Sequence, residues 1–168
     1  MLKKSLLALA LSLTSIGASA NWVGGINYTS VNEDLGYIGD VNIDTINLEL
    51  GYKYNTAEQF KLIPSLRFGF GISNDSGRSY WSSVEFSVDS YYLFTLRGQY
   101  EYDNGVYLYG APSVGTYNLS VNDTSDSSNK FGFGAGIGFK ANDAMAFELS
   151  LERVDDADLI SAGVKFGF

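Results

Sequence analysis

The sequence predicts an all-β protein, an eight-stranded antiparallel up-and-down transmembrane β-barrel, and three observations carry this prediction. Apolar and polar residues alternate with a period of two through most of the chain, which is typical of strands that separate two environments. Long polar segments and short turns join these strands in alternation. The charged residues within the strands share the face opposite the aromatic residues, as expected for a barrel in lipid.

The alternation is clearest over residues 160–168. One face of this predicted strand is apolar and consists of Ile160, Ala162, Val164, Phe166 and Phe168. The other face is small apart from one lysine and consists of Ser161, Gly163, Lys165 and Gly167. A barrel in lipid needs this arrangement, since its outer face meets acyl chains and its inner face lines a narrow lumen.

Residues 1–20 have the features of a secretory signal peptide. Lys3 and Lys4 precede a short apolar run over residues 6–13, and Ala18-Ser19-Ala20 forms an A-x-A cleavage site. The apolar run is too short for a transmembrane helix, which needs about 20 residues. We therefore expect cleavage after Ala20 and a mature barrel domain over residues 21–168.

The mature chain divides into eight predicted strands separated by seven connections. The strands are expected at 22–29, 43–54, 60–73, 85–102, 106–117, 130–141, 145–152 and 160–168. The long loops are expected at 30–42, 74–84, 118–129 and 155–158, and the short turns at 55–59, 103–105 and 142–144. Asn104-Gly105 favours a type I′ turn. The facing of the fifth strand stays open, because Tyr107 and Tyr109 compete with Val106 and Leu108 for the outer face and Pro112 lacks a donor.

The charged residues within the strands decide between a barrel in lipid and one in water. A soluble carrier barrel has an apolar lumen and a charged outside, whereas here every mid-strand charge opposes the aromatic face. A charge on the lipid face at mid-membrane would cost roughly 2–4 kcal/mol. The residues expected to form a lumen charge network are Glu49, Lys53, Lys61, Arg67, Arg97, Glu101, Lys140, Glu148, Glu152 and Lys165. Glu49, Arg67, Arg97, Glu148 and Lys165 are expected to lie near one level and to pair.

The strand FGFGAGIGFK at 131–140 and the final GVKFGF at 163–168 resemble small outer-membrane β-barrel proteins. That class includes the transmembrane domain of outer membrane protein A, outer membrane protein X and opacity-type porin-family barrels. The resemblance implies a place in a Gram-negative outer membrane, with outer-membrane lipid and lipopolysaccharide as neighbours. It also implies a C-terminal signal for the barrel assembly machinery, at Val164, Phe166 and Phe168. We expect the protein to be a monomer.

The composition excludes several other functions. The chain has no His and no Cys, which removes the usual general base, the thiolate nucleophile and the usual zinc ligands. We therefore expect no enzymatic activity, no cofactor and no metal. Without Lys3 and Lys4, the mature chain has 9 basic and 19 acidic residues, a net charge of −10. Such an acidic chain is a poor partner for nucleic acid.

Two function hypotheses are left. The favoured one is a structural barrel that contacts lipopolysaccharide, a host surface or another ligand through its loops. The candidate contact residues in those loops are Tyr37, Arg78, Tyr80 and Trp81. These aromatic residues would serve equally well as anchors in the lipid headgroups. The alternative function is a small porin-like pore or transporter for small solutes.

Overall fold

The computed structural model describes residues 21–34, 40–79, 82–121 and 124–167. The predicted signal peptide at 1–20 and Tyr37, Tyr80, Trp81 and Phe168 lie outside the described residues. The strands are β1 (Trp22–Asp34), β2 (Asp40–Tyr52), β3 (Tyr54–Asn55), β4 (Phe60–Gly71), β5 (Asn74–Ser79), β6 (Ser82–Glu101), β7 (Val106–Val121), β8 (Thr124–Asn142), β9 (Met145–Val154) and β10 (Ala157–Gly167).

These ten strands form one closed antiparallel sheet. Its wall has eight staves, each of which is one strand or two consecutive strands that follow the same line. The short strand β3 continues β2 after Lys53, and β5 continues β4 after Ile72 and Ser73. Neighbouring staves follow one another in the chain, β1 pairs with β10, and the ring is complete because β4 also pairs with β6. The predicted eight-stranded up-and-down barrel is confirmed.

The barrel has two different ends. The turn end carries the connections at 56–59, 103–105 and 143–144, and the loop end carries the other four connections. At the turn end, residues 103–105 form a three-residue connection in which Gly105 has φ +82° and its N–H donates to the Tyr102 carbonyl at 3.1 Å. The type I′ prediction was wrong, because a three-residue loop uses a type I turn followed by a left-handed residue.

At the loop end, the strands run much further than the sequence predicts. The pairing of β1 with β2 continues to Asp34 opposite Asp40, and that of β7 with β8 continues to Val121 opposite Thr124. Most of 30–42, 74–84 and 118–129 is therefore paired strand, and the prediction of long loops there was wrong. Backbone pairing continues beyond the lipid without apolar side chains, so the alternation that marks a spanning strand disappears there.

The outer face of the barrel is apolar. Large hydrophobic side chains on every stave are exposed, among them Leu48, Phe68, Phe94, Phe133, Leu149 and Ile160. The open question of the fifth strand is resolved, since Leu108 is 44% exposed and Tyr107 is 2% exposed. A soluble barrel would show the reverse pattern. Within the described ranges, there is no helix long and apolar enough to cross a membrane.

The wall is irregular next to Pro112. Pairing between β6 and β7 runs to Thr95 opposite Ser113 and resumes only at Gly98 opposite Gly110. Proline has no N–H to give to the ladder, which accounts for the interruption. The other strand of this region, β8, pairs with β7 without a break and places Phe133 opposite Pro112.

Candidate functional site

The inward side chains fill the lumen in successive layers, because odd and even positions of each strand face opposite sides of the wall. From the turn end to the loop end, four groups follow one another. The turn-end mouth comprises Lys53, Lys61, Glu101 and Lys140. The central cluster comprises Glu49, Arg97, Glu148 and Lys165. The upper pair comprises Arg67 and Glu152. The apolar plug comprises Val31, Ile43, Tyr91, Leu93, Tyr117, Val154, Ala157 and Leu159.

The central cluster is a closed ring of two carboxylates and two cations. Arg97 donates to Glu148 in a bidentate pair at 2.5 and 3.1 Å and lies 3.9 Å from Glu49. Lys165 donates to Glu49 and lies 3.6 Å from a Glu148 oxygen. All four residues are buried. Each charge therefore faces two opposite charges, which offsets the cost of removing it from water.

Two tyrosines of β7 complete the central cluster. The Tyr107 hydroxyl donates to Glu148 at 2.8 Å. The Arg97 guanidinium lies over the Tyr109 ring in a cation–π contact, with 3.8 Å between Arg97 Cζ and the ring centroid. These contacts add a hydrogen-bond donor for Glu148 and an aromatic face for Arg97 to the ion pairs of the cluster.

Glycines make the room for these long side chains. A Cβ at Gly25 would lie 2.6 Å from Lys165 Cδ, and one at Gly138 would lie 2.1 Å from the Tyr107 ring. Because real Cβ atoms do not approach so closely, Lys165 and Tyr107 each require a glycine at the opposed position of the neighbouring strand.

The upper pair departs from the sequence-based expectation for Arg67. Its Cα lies opposite Glu49 in the register, but its Nη1 donates to Glu152 at 2.5 Å. Ser113 Oγ donates to the other Glu152 oxygen at 2.7 Å. Arg67 thus lies at the predicted level, opposite Glu49, but its ion pair is with Glu152. A long guanidinium side chain reaches beyond its own register position, which the sequence does not show.

The apolar plug at the loop-end side of the lumen was missed in the sequence. Tyr91 and Tyr117 stack with their centroids 4.6 Å apart, and Val154 and Leu159 are each 1% exposed. Tyr91 OH donates to Asn47 Oδ1, and Asn47 Nδ2 donates to Thr29 at 2.6 Å. The sequence did contain a signal for this plug. Several apolar residues occupy strand positions that face the lumen, and some of them lie in segments that the sequence predicts as loops.

The turn-end mouth is more open than the layers above it. Lys140 Nζ pairs with Glu101 at 2.5 Å, and the Lys140 side chain is 37% exposed. Lys61 Nζ donates to the carbonyls of Ala57 and Glu58, in the turn that follows β3. The structure thus places the ten predicted lumen charges on the inner face, in three groups. Gln99 links the central cluster to the mouth, since it accepts from Arg97 at 3.5 Å and donates to Glu101 at 2.9 Å.

The lumen is filled through its central length. A continuous water channel would leave the side chains that border it exposed to water. Instead, Arg97 is 4% exposed, and Glu49, Glu148, Glu152 and Tyr91 are also buried. An eight-stranded barrel is just wide enough for side chains to fill it.

Comparison with known proteins decides the family. The model of the outer membrane protein beta-barrel domain matches residues 6–168. The chain belongs to this family. It is therefore an outer-membrane β-barrel, and the predicted resemblance is confirmed.

Solved structures of other outer-membrane β-barrels show the same fold. The attachment invasion locus protein Ail of Yersinia pestis, in complex with the heparin analogue sucrose octasulfate, is 19% identical. The match covers 88% of this chain and 96% of that one, with a TM-score of 0.58. Neisserial surface protein A is 14% identical over 90% of this chain and 99% of that one, with a TM-score of 0.55. At these identities the likeness shows the fold alone. No curated protein matches the sequence.

An outer-membrane β-barrel carries aromatic girdles where its wall meets the lipid headgroups. At the turn end, Trp22 and Tyr52 pack edge to face at 5.3 Å, and Tyr100 and Tyr102 do so at 5.0 Å. At the loop end, Tyr28, Phe70, Tyr92 and Phe131 are exposed on the outer face. The two girdles mark the edges of the apolar band.

Several residues of this outer-membrane β-barrel that the sequence singled out lie at its ends. Val164 and Phe166 lie on β10, with Cα partners Ile26 and Gly24 on β1. Phe168, the last residue of the expected assembly signal, is outside the described part of the chain. Arg78 belongs to β5 at the loop end, and the other three candidate contacts are not described. Among the described side chains, there is no cluster of three or more acidic residues that could hold a metal ion.

Proposed function

We propose that this outer-membrane β-barrel has a structural and surface-interaction role, with its loop end outside the cell and its turn end in the periplasm. The observation that supports the proposal is a packed lumen below paired hairpins that extend past the apolar band. Since side chains fill the lumen and the lipid face is uniformly apolar, the loop end offers the varied polar surface that recognition needs.

The charge at the loop end limits which partners fit. At and beyond the loop-end edge of the band, the described positions hold eleven acidic and three basic residues. The acidic ones are Glu33, Asp34, Asp40, Asp44, Asp75, Glu85, Asp89, Asp126, Asp155, Asp156 and Asp158. The basic ones are Arg78, Lys130 and Arg153. The heparin analogue in the Ail complex is a polyanion, so this end does not favour the same ligand. Of our two proposed classes of partner, a host surface ligand with basic groups fits this end better than lipopolysaccharide, whose phosphate groups are also anionic.

Replacement of the hairpin tips tests the proposal. Residues 76–85 and 119–126 are exchanged for Gly/Ser connections, and a variant with Gly/Ser in place of 56–59 at the turn end is the control. We expect the two loop-end variants to lose cell-surface binding or serum survival and the control to keep both. Heat-modifiable gel migration verifies that every variant assembles. Unchanged binding and survival in correctly assembled loop-end variants would exclude recognition through this end.

The alternative function of a small pore is disfavoured by the same packing, because ions would have to displace paired charges from the central cluster. An enzymatic role is also disfavoured, since a chain without His or Cys lacks the usual general base and the thiolate nucleophile. We propose no cofactor for the same reason.

We further propose that export removes residues 1–20. The Asn21 carbonyl accepts a hydrogen bond from the Lys53 N–H at 2.6 Å, so the residue after the proposed cleavage site already belongs to the wall. N-terminal sequencing of the protein extracted from outer membranes should begin at Asn21. A sequence beginning at any other residue would contradict cleavage after Ala20.

A further inference from the structure

The turn-end mouth contains more cations than carboxylates. Lys53, Lys61 and Lys140 are the inward cations near the turn end of their staves, and Glu101 is the inward carboxylate at the same end. Lys140 reaches Glu101 at 2.5 Å, and Lys53 lies beside β4, since the next residues of its stave, Tyr54 and Asn55, pair with Leu62 and Lys61. The four groups therefore lie at one end of a narrow lumen. The central cluster, by contrast, has equal numbers of cations and carboxylates.

The hydrogen bonds of the mouth leave donors in excess. Of the three N–H groups on each ammonium, Lys61 uses two on turn carbonyls and Lys140 uses one on Glu101. The other Glu101 oxygen already accepts from Gln99 Nε2 at 2.9 Å. The half-buried Lys53 ammonium has no hydrogen bond or ion pair within the described part of the chain. Lysine donates only, so the mouth has free donors on three sides and its single carboxylate is occupied.

Other acidic residues at this end do not balance the excess positive charge of the mouth. Glu58, Asp103 and Asp143 are exposed on the turns, where water and salt weaken their effect on the mouth. The Glu58 backbone carbonyl, rather than its carboxylate, accepts from Lys61. An incoming anion would therefore meet three ammonium groups whose charge is only partly compensated.

We propose that the turn-end mouth is a binding site for a phosphate-class oxyanion, held by Lys53, Lys61 and Lys140. A phosphate group carries several acceptor oxygens and up to two charges, which matches donors that converge from three staves. Such a group could come from a soluble phosphate compound or from a phospholipid headgroup beside the turn-end girdle. The site lies at the opposite end from the proposed surface contacts and does not depend on them.

The test uses the full barrel in a neutral detergent with pyrophosphate as the probe. Titration is followed by NMR shifts of the lysine side chains. We expect saturable binding that Lys53→Gln and Lys140→Gln each weaken about fivefold or more, as for a partly screened charge at close range. The matched control is Lys130→Gln at the loop end, where Lys130 lies 3.7 Å from Asp155, and it should leave the affinity unchanged.

A second variant separates binding from general damage. Glu101→Gln removes the carboxylate that competes for Lys140, so it should tighten pyrophosphate binding, whereas a disturbed fold would weaken it. The source of the phosphate is resolved in nanodiscs, where phosphatidylglycerol or phosphatidylcholine replaces the detergent. Shifts that appear with lipid alone support the headgroup, and shifts that need pyrophosphate support a soluble anion. Absence of saturation with either, or equal weakening by Lys130→Gln, would overturn the proposal.

Discussion

At the scale of single residues, Glu148 is the carboxylate with the most partners in the lumen. Arg97 and Tyr107 donate to it, and Lys165 lies within 3.6 Å. Glu148→Ala leaves Arg97 buried with much of its charge unpaired, so we expect a loss of about 3–5 kcal/mol in the free energy of unfolding. Asp158→Ala, which removes an exposed partner of Arg153, should cost less than about 1 kcal/mol. Urea unfolding in lipid vesicles measures both, and a double-mutant cycle without coupling between Glu148 and Arg97 would refute the pairing.

Two equally buried threonines should respond in opposite directions to the same substitution. Thr95 is 2% exposed and its hydroxyl has no hydrogen-bond partner, whereas the Thr29 hydroxyl is bonded to Ser161 and Asn47. Thr95→Val removes an unsatisfied group and should raise the free energy of unfolding by about 1 kcal/mol. Thr29→Val strands the Asn47 amide and should lower it by about 1–3 kcal/mol. Equal signs in an unfolding titration would contradict this.

An inner and an outer glycine should lose different amounts of stability on substitution by alanine. A Cβ at Gly138 would collide with the Tyr107 ring, whose hydroxyl supports Glu148. Gly138→Ala should therefore lower the free energy of unfolding by about 1–3 kcal/mol. At Gly98, on the outer face, the nearest atom to a new Cβ is Phe60 Cζ at 3.4 Å. Gly98→Ala is the control and should be nearly neutral. A larger loss at Gly98 than at Gly138 would argue against a lumen packed through glycine.

At the scale of elements, the extension of β7 and β8 beyond the membrane can be tested by cross-linking, because the chain has no Cys of its own. Asn118 lies opposite Ser127 in a segment that the sequence predicts as loop. Asn118→Cys with Ser127→Cys should oxidise rapidly to a disulfide, since opposed Cα atoms in a sheet are close enough. Asn118→Cys with Asn129→Cys is offset by two residues and should keep free thiols. Similar oxidation of both pairs, counted by thiol labelling, would mean that the segment has no fixed register.

The elements also show which parts of the structure the sequence can predict. Period-two alternation is strong where one face meets lipid, so the strands, their facing and the inward position of charges such as Glu49 and Arg97 follow from it. The alternation vanishes beyond the lipid, so the continuation of β1 to Asp34 cannot be predicted from it. Ion-pair partners depend on strand tilt and on side-chain reach, which is why Arg67 meets Glu152 rather than Glu49.

At the scale of the whole molecule, charge is distributed unevenly between the two ends. The loop-end positions hold most of the acidic residues, the lumen is nearly balanced, and the turn-end mouth has an excess of lysines. The loop end and the turn-end mouth therefore attract ligands of opposite charge. The two proposals can be tested separately, because salt screens the charges of one end from the other. A charge substitution at one end should therefore have little effect on ligand binding at the other.

The closed lumen gives the final prediction, which concerns ion conduction. Two kinds of barrier lie in series, the ion pairs of Arg97 and Arg67 and the apolar plug around Tyr91 and Leu93. In planar bilayers the wild type should show no stable openings. Arg97→Ala should also stay silent, because the plug above it is intact and excludes water.

Combining Arg97→Ala with Tyr91→Ala and Leu93→Ala removes both kinds of barrier, so stable openings should appear in that variant. Heat-modifiable migration must show that each variant is folded, and Leu149→Ala on the outer face serves as the control that leaves the lumen unchanged. Stable ohmic openings in the wild type that change with Arg97→Ala would instead favour the pore. They would mean that neither the ion pairs of Arg97 nor the apolar plug closes the lumen to ions.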